Sequence, residues 1–370
     1  MSLAILAIGS ATPAREISQA AAADLAVGFA NAAPGHERTL AAIYRQTRIR
    51  ARGSVLLEDP AGKPFAQSFF PPADAAGGGG PATSARMARY AAEAGPLALA
   101  AARKALARSG VEATAVTHLV TCSCTGFANP GVDLDIVRGL GLAADVSRTH
   151  VGFMGCHGAF NALRVAEAFA TAHASAVVLV VCVELCSLHF QYGSRSDAIV
   201  ANSIFADGAA ALVGVGEDHP LAGGAEWRVT RQWSRLLPDS MGEMGWVIGD
   251  HGFEMSLSAR VPGIIHRDIA AIVAAALGDE GLASGDIRSW AVHPGGPRVL
   301  ASVRDALGLD DAVLSASRDV LAAHGNMSSA TILFVLERLL PDGAGPCVAL
   351  AFGPGLTAEV ALLRRVAYRP

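Results

Sequence analysis

The sequence predicts an α/β fold with buried sheets, assembled from two related halves. Strand-like apolar runs alternate with alanine-rich helical stretches, the pattern of sheets covered by helices. Of the 370 residues, 52% are hydrophobic and only 17% are charged, so the chain has enough apolar surface for a large core. The same succession of predicted helices and strands also occurs twice along the chain. Together these observations exclude a disordered or fibrous chain and favour two closely packed halves over domains joined by a flexible linker.

The individual elements are predicted from the period and length of their apolar residues. Short apolar runs bounded by turn residues indicate buried strands, of which the clearest are 117–124, 176–183, 209–215, 289–292 and 347–352. Apolar residues that recur at helical spacing predict helices over 97–109, 158–172, 261–277 and 328–340. The longest apolar runs, such as 176–183, are far shorter than the ~20 residues that a membrane span needs. The sequence therefore predicts no membrane span.

The repeat relates the two halves segment by segment. In the first half, a helix ending ALARSG leads to the strand THLVTCSC, to GFMGC at the start of a helix, and to the strand AVVLVVCVE. In the second half, IVAAALGDEG leads to SWAV and HPGG, to HGNMSSAT at the start of a helix, and to CVALAFGPG. Cys122 precedes Cys156 by 34 residues, and His293 precedes Asn326 by 33. We therefore expect two duplicated halves, 1–222 and 223–370, whose equivalent turns converge on a shared site.

Charge and cysteine usage narrow the class of protein. The net charge of -4 and the lack of a strongly basic region argue against nucleic acid as a partner. The six cysteines lie mostly within apolar runs and form no paired CxxC motifs, so neither a disulfide framework nor a zinc or other metal site is predicted. The amino terminus enters an apolar strand without a preceding basic segment, which is untypical of a signal peptide and predicts a cytoplasmic protein.

Cys156 is the cysteine best placed for reaction. It lies in the segment FMGCHG, after a strand-like stretch and at the first turn of a predicted helix. Free backbone N–H groups and the positive end of the helix dipole favour a thiolate there. The flanking glycines allow a sharp turn and close approach of a substrate. On local features alone, an inert buried thiol is the alternative.

His293 and Asn326 lie in two turns of the second half. His293 begins the rigid turn HPGGP at the carboxyl end of a strand, where α/β proteins commonly place catalytic groups. Asn326 lies in HGNMSS, where capping of the following helix is the simpler explanation. Because the repeat brings both turns near the start of the Cys156 helix, we expect the three residues to form one site.

A thiol, an imidazole and a carboxamide together suit one kind of reaction. A thiolate nucleophile requires a cationic partner, and charge that develops on a thioester oxygen requires neutral donors. Asparagine cannot act as a base. The set therefore favours an enolate generated by loss of CO2 over one generated by proton abstraction.

Four motifs in a fixed order resemble the type III polyketide synthases of the chalcone and stilbene synthase family, within the thiolase superfamily. The motifs are WAVHPGGP at 290–297, GNMSSAT at 325–331, the pair Gly155-Cys156, and FADGAAAL at 205–212. The similarity spans nearly the whole chain, from the early ATP turn to AFGPG at 351–355. A single short motif would be weak support, but four in the right order are specific.

The resemblance implies a thiolase-like αβαβα layered fold, a homodimer and a defined catalytic cycle. Cys156 would take an acyl group from a starter acyl-CoA, and His293 and Asn326 would polarise malonyl-CoA so that decarboxylation leaves an enolate. Repeated condensation builds a poly-β-ketone, which cyclises to a pyrone, a resorcinol or a related aromatic. CoA thioesters are the substrates, and no separate cofactor is implied. Phe205 matches a gatekeeping phenylalanine between the CoA tunnel and the initiation cavity.

The cavity residues depart from those of plant members. Met255 stands where the family usually has a second gatekeeping phenylalanine, and Asn129 stands where plant members place a methionine that reaches into the neighbouring subunit's cavity. Because methionine is flexible, we expect aliphatic acyl starters to be preferred over bulky aromatic ones such as coumaroyl-CoA. The other expected substrate-binding residues are Cys124, Thr125, Cys186, His189 and Ser328, and three of these positions (124, 186 and 189) hold threonine in plant chalcone synthases.

Arginines are expected at the mouth of the tunnel because CoA carries phosphate groups, with which guanidinium groups pair well. A solvated helix end is the alternative explanation of the basic run involved. The candidates are Arg45, Arg48, Arg50 and Arg52, the densest basic run in the sequence, and Arg298, which follows the HPGGP turn.

Three alternative functions fit the same motifs less well. A ketoacyl synthase III-like condensing enzyme of fatty acid synthesis uses the same three residues but usually takes malonate from an acyl carrier protein. A hydroxymethylglutaryl-CoA synthase would require a general-base glutamate near the thiol, for which Glu184 is a weak candidate. A non-catalytic scaffold that keeps the fold would tolerate alkylation of its thiols without loss of any activity.

Overall fold

The computed structural model describes residues 2–29, 36–58, 67–73 and 79–366. Within these ranges, the five strands that correspond to those predicted from the sequence are fully buried, whereas the other strands are partly exposed. The strands are β1 (Leu3–Ala11), β2 (Glu16–Ser18), β3 (Ala51–Gly53), β4 (His118–Ser123), β5 (Ser147–Gly152), β6 (Val177–Leu185), β7 (Asp207–Gly216), β8 (Trp227–Leu236), β9 (Met244–Gly249), β10 (Gly252–Leu257), β11 (Ser289–Val292), β12 (Cys347–Gly353) and β13 (Thr357–Arg365).

The helices alternate with these strands and place apolar faces on the sheet. Short 3-10 turns directly precede three of them, at Gly155–His157, Asp311–Leu314 and Ser328–Ala330. The helices are α1 (Gln19–Phe29), α2 (His36–Gln46), α3 (Thr83–Ser109), α4 (Val132–Leu140), α5 (Gly158–Ala172), α6 (Ser196–Ile204), α7 (Val261–Gly278), α8 (Pro297–Leu307), α9 (Ser315–His324) and α10 (Thr331–Leu339).

The main sheet has nine strands in the order β11-β12-β13-β8-β1-β7-β6-β4-β5. From the central pair outward, both sides show the same directions. β1 with β7 and β8 with β13 are antiparallel, β7 with β6 and β13 with β12 are antiparallel, and β6 with β4 and β12 with β11 are parallel. β1 and β8 themselves pair antiparallel over three residue pairs only. This mirrored order is the one expected of a fold with two related halves.

Three buried clusters divide the molecule into five layers. The central cluster lies between the sheet regions of the two halves and contains apolar residues of α5 and α10. An outer cluster packs α3 against β4, β6 and β7, and the other outer cluster packs α7 and α8 against β11, β12 and β13. Successive residues of one strand face different clusters, as Leu119 and Val120 do on β4. The resulting αβαβα layering is the one expected for a thiolase-like fold.

Two helices differ from their predicted bounds. α3 begins at Thr83 instead of residue 97 and carries Pro96 inside it. A proline normally ends or kinks a helix, but here the long buried face of α3 packs along β1 and β7 and keeps the helix continuous. The helix predicted from Ser328 instead opens with a 3-10 turn, and the α-helix starts at Thr331.

α7 is the one described helix that is long and apolar enough to cross a membrane by length and composition. Its face formed by Ile265, Ile269 and Val273 is fully buried in the outer cluster of the second half. The apolar face of α7 is therefore occupied by the protein core.

Candidate active site

Cys156 lies in a tight turn between β5 and α5. Phe153 and Gly155 both have positive φ values, 64° and 67°, so the chain reverses sharply before the 3-10 turn that carries the thiol. A Cβ atom on Gly155 would lie 2.6 Å from Cδ of Pro354, and one on Gly353 would lie 2.1 Å from Cδ2 of His157. The turn is therefore backed directly by the loop after β12, and Cys156 is held at the head of the central helix with 8% exposure.

Asn326 lies opposite this thiol, in the turn that precedes α10. Its backbone bridges the segment before β7: Asn326 N–H donates to the oxygen of Ile204 (2.9 Å), and Ala206 N–H donates to the oxygen of Asn326 (2.9 Å). The side-chain Oδ1 accepts from Ser328 N–H at 2.8 Å. This contact orients the carboxamide so that Nδ2 lies 3.8 Å from Sγ of Cys156. The side chain thus serves both as a cap of the following turn and as a donor that faces the thiol.

His293 follows β11 and is 1% exposed. Its backbone N–H donates to the oxygen of Leu350 at 2.7 Å, which continues the strand pairing and fixes the start of the turn. Neither ring nitrogen has a hydrogen-bond partner within the described part of the chain. Burial, and secondarily the charge of His157 next to Cys156, lower the pKa of His293 to about 3. The ring is therefore neutral, with an unused donor and an unused acceptor in a buried site.

Burial also decides the state of the thiol. It raises the pKa of Cys156 to about 11, although contacts with Ser328 and Asn326 act in the opposite direction. Burial therefore opposes the thiolate expected from the helix start, because loss of water around the sulfur outweighs the nearby donors. Formation of the nucleophile therefore requires a proton acceptor.

A cavity of about 170 Å³ begins beside this group. Ser328, which contacts the Cys156 thiol, lies in its wall, as does Phe205, whose backbone bridges Asn326. The rest of the wall is mostly apolar and includes residues of α1, α2, α6 and β10. All seven residues predicted to bind substrate line this one cavity, namely Phe205, Met255, Cys124, Thr125, Cys186, His189 and Ser328.

His189 is locked into the cavity wall. Nε2 lies 2.6 Å from the oxygen of Thr125, and Nδ1 accepts from Phe253 N–H at 3.0 Å. The ring stacks on Phe253 at 4.2 Å, and Phe253 stacks on Trp246 at 4.9 Å. Burial lowers the pKa of His189 to about 4, so the ring is neutral. The three stacked rings form an aromatic wall that the spacing of these residues in the sequence did not reveal.

Glu184 is buried in the first half and fully engaged. It accepts hydrogen bonds from Cys124 N–H (3.0 Å), from Thr125 Oγ1 (2.7 Å) and from Ser329 Oγ. A carboxylate bonded in this way joins the two halves but has no free oxygen directed at the thiol. The general-base role that a hydroxymethylglutaryl-CoA synthase would require of Glu184 therefore has no support in this geometry.

The five candidate arginines fall into two groups. Arg45, Arg48, Arg50 and Arg298 are exposed, and within the described residues none of them forms an ion pair. Arg52 is only 8% exposed, and its Nη1 donates to the oxygens of Asn202 and Phe205 at 2.7 and 2.6 Å. The prediction of a phosphate ligand is therefore wrong for Arg52, because its guanidinium group is turned inward onto backbone carbonyls.

Comparison with known proteins agrees with this geometry. The family model for the N-terminal domain of chalcone and stilbene synthases matches residues 2–219, and that for the C-terminal domain matches residues 228–367. The alpha-pyrone synthesis polyketide synthase-like Pks18 of Mycobacterium tuberculosis is 36% identical over 361 residues, which cover 95% of this chain and 88% of Pks18. The 1,3,6,8-tetrahydroxynaphthalene synthase of Streptomyces peucetius is 38% identical over 264 residues, 70% of each chain.

Solved structures show the same fold over the full length. PKS-I of the brown alga Ectocarpus siliculosus superposes with a TM-score of 0.90 at 29% identity, covering 99% of this chain and 98% of that one. The C-terminal type III polyketide synthase domain of Steely1 from Dictyostelium gives 0.87 at 28% identity, with 99% and 100% coverage. The ketoacyl synthase III alternative is not favoured by any of these matches. The chain belongs to the chalcone and stilbene synthase family and is a type III polyketide synthase, an acyltransferase of the condensing type.

Proposed function

We propose that Cys156 is the acyl carrier of this enzyme and that His293 handles its proton. The Sγ proton passes to the free ring nitrogen of His293 as sulfur attacks the carbonyl carbon of a starter acyl-CoA. A new thioester bond forms, the CoA thiolate leaves, and the proton on His293 returns to it. The observation that carries the proposal is the buried thiol 3.8 Å from Asn326 Nδ2, in a site where His293 has no hydrogen-bond partner among the described residues.

The same donors serve the second substrate. When malonyl-CoA binds, the bond to its carboxylate carbon breaks, CO2 leaves, and the electron pair moves onto the thioester oxygen. Asn326 Nδ2 and the N–H of neutral His293 donate to that oxygen and stabilise the enolate. The enolate carbon then attacks the acyl group on Cys156, a carbon–carbon bond forms, and the sulfur is released for the next cycle.

The exposed arginines support a CoA entrance near the gatekeeper Phe205. The backbone N–H of Arg50 donates to the oxygen of Ala322 on α9, two residues before the turn leading to Asn326. Arg298 follows Gly296, whose added Cβ would lie 3.4 Å from Ile204. Both segments therefore border the bridge between 204–206 and Asn326. We assign the CoA phosphates to Arg45, Arg48, Arg50 and Arg298, which are free to form charge-assisted hydrogen bonds.

An aliphatic acyl-CoA is the proposed starter, with an alkylpyrone or alkylresorcinol as product. The cavity wall beyond the catalytic group is lined by Leu25, Phe29, Leu57 and other apolar residues, which suits an alkyl chain. The name of Pks18 refers to alpha-pyrone synthesis, which fits a pyrone product here as well.

Product analysis tests this proposal. Purified enzyme is given malonyl-CoA and acyl-CoAs of increasing chain length, with coumaroyl-CoA in parallel and no acyl carrier protein, and the products are identified by mass spectrometry. We expect pyrone or resorcinol masses with the alkyl starters. A clear preference for coumaroyl-CoA contradicts the aliphatic starter, and a strict need for acyl carrier protein contradicts CoA-dependent extension.

A homodimer in the cytoplasm completes the proposal. β5 is an edge strand of the sheet, and the exposed rings of Phe127 and Phe153 lie beside it, 6.1 Å apart. An open edge next to an apolar patch suits pairing with a second copy. A cytoplasmic location is supported by the six free cysteines, because a reactive thiol needs a reducing compartment. Sedimentation at micromolar concentration tests the dimer, and a monomer under those conditions would exclude it.

A further inference from the structure

Arg52 lies on β3, in the cavity wall, and its side chain forms hydrogen bonds with the segment that carries the gatekeeper Phe205. One nitrogen, Nη1, donates both to the oxygen of Asn202 in α6 and to the oxygen of Phe205. The last turn of α6 and the gatekeeper residue are thus held by a single guanidinium group. A buried carbonyl that loses such a donor is left unsatisfied, which is costly in an apolar wall.

The aliphatic part of the Arg52 side chain contacts the segment that carries Asn326. Gly325 has a φ of 74°, and a Cβ atom there would lie 3.0 Å from Cγ of Arg52. Gly325 immediately precedes Asn326, whose backbone pairs with Ile204 and Ala206 around Phe205. Arg52 therefore packs against Gly325 on one side of the backbone bridge between 204–206 and Asn326. On the other side it donates a hydrogen bond to the carbonyl oxygen of Phe205.

The guanidinium group of Arg52 has further neighbours inside the protein. Its guanidinium lies 5.6 Å from the centre of the Tyr44 ring, and the carboxylate of Asp207 is close enough to interact. Burial lowers the pKa of Arg52, and Tyr44 and Asp207 oppose that shift. Both carbonyls are bonded by one nitrogen, and an ammonium group also carries several donors on one nitrogen, so lysine is the conservative replacement at this position.

We propose that Arg52 is a positioning residue that fixes the gatekeeper Phe205 and, through the 204–206 bridge, the carboxamide of Asn326. The inference rests on the proposed function, since it assigns Asn326 the role of an enolate donor. A displacement of about 1 Å in a catalytic group can cost ~100-fold in rate. Loss of Arg52 should therefore lower the rate of decarboxylation without weakening the binding of CoA.

The test compares R52M and R52K with R86M, a matched control. Arg86 is also fully buried, donates to the oxygens of Pro81, Leu188 and Phe190, and lies 5.1 Å from the Phe70 ring. It makes the same kind of carbonyl contact but does not touch the bridge. The measurements are kcat and KM for malonyl-CoA decarboxylation, followed as CO2 release, together with Tm.

We expect R52M to lose about 10- to 100-fold in kcat with KM for malonyl-CoA unchanged, and R52K to recover part of that loss. R86M should lose comparable Tm, with a clearly smaller loss of kcat than R52M. A rise in KM with kcat unchanged would identify Arg52 as a phosphate ligand and overturn the proposal. Equal losses of kcat in R52M and R86M, in step with Tm, would overturn it by showing a purely structural role.

Two further controls keep the result interpretable. If R52M does not fold, R52K carries the same test, because it must still lower kcat while leaving KM unchanged. The wild-type enzyme is measured in the same assay. Absence of CO2 release from the wild type would refute the proposed function itself, whereas normal wild-type turnover with unaffected R52K refutes only the role of Arg52.

Discussion

The two halves place different chemistry at equivalent positions of one repeated unit. The start of the central helix carries Cys156 in the first half, and the turn before the central helix carries Asn326 in the second. The strand ends differ in the same way. Behind β4, the polar groups around Cys124 are bonded to buried Glu184, whereas behind β11 the ring of His293 has no partner in the described ranges. The first half therefore supplies the sulfur and a strand end whose polar groups are all bonded, and the second supplies the carboxamide of Asn326 and an imidazole without a partner in the described ranges.

The largest effect expected from this division is that of Cys156→Ala. Starter loading and polyketide formation should disappear, because no other cysteine can replace the sulfur at the head of α5. Decarboxylation of malonyl-CoA should persist, since the donors of the second half are intact. Intact-protein mass spectrometry reports the acyl adduct and CO2 release reports decarboxylation. Product formation by this variant would refute the role of Cys156.

Changes in the second half should have the complementary effect. His293→Ala and Asn326→Ala should each slow decarboxylation by ~100- to ~1000-fold, the usual cost of one oxyanion donor. CO2 release from malonyl-CoA measures this loss. Acyl loading of Cys156 in the Asn326 variant serves as the control that the site is still formed. Normal CO2 release by either variant would break the assignment of the donors to the second half.

A smaller effect is expected on the reactivity of the thiol. Because burial raises the pKa of Cys156, alkylation near pH 7 needs a base to accept the proton. His293→Ala should therefore slow alkylation by iodoacetamide about 100-fold at pH 7, and the difference should vanish near pH 11, where hydroxide removes the proton. Subtracting the labelling of the Cys156→Ala variant isolates this cysteine. An identical pH profile with and without His293 would show that the ring does not take the proton.

The smallest effect is expected at the two gatekeeping positions. Each half contributes one of them. Phe205 belongs to the first half, and Met255 lies on β10 of the second, paired with Trp246 on β9. A Met255→Phe change should shift preference toward shorter acyl starters, because each buried CH2 contributes about 0.8 kcal/mol, or roughly fourfold in affinity. The measurement is kcat/KM across an acyl-CoA series. An unchanged length profile would remove Met255 from the starter pathway.

The sequence predicted the architecture and the three reactive residues because their signals are local. Apolar runs, glycine turns and two similar spacings locate the strand ends and helix starts at which Cys156, His293 and Asn326 lie. The raised pKa of the thiol could not be predicted, because burial depends on the packed structure, which a helix start does not reveal. The boundary at 222/223 stays a prediction.

Arg52 and the aromatic wall illustrate what a one-dimensional pattern omits. Arg52 stands among exposed arginines in the chain, yet it alone of these faces carbonyls contributed some 150 residues later. Trp246, Phe253 and His189 stack only because β9, β10 and the 3-10 turn after β6 meet in space. The alternation of side-chain direction along a strand could have identified Phe253 as inward-facing. It could not have identified the rings on which Phe253 stacks.

The contact between the Cys156 turn and the loop after β12 also constrains how the enzyme is made. Gly353 and Pro354 press directly on His157 and Gly155, but they are synthesised almost 200 residues after them. On the ribosome, the thiol is therefore present long before its backing exists. The reactive geometry is completed only when β12 has joined the sheet, so the Cys156 turn depends on a segment that is synthesised almost 200 residues later.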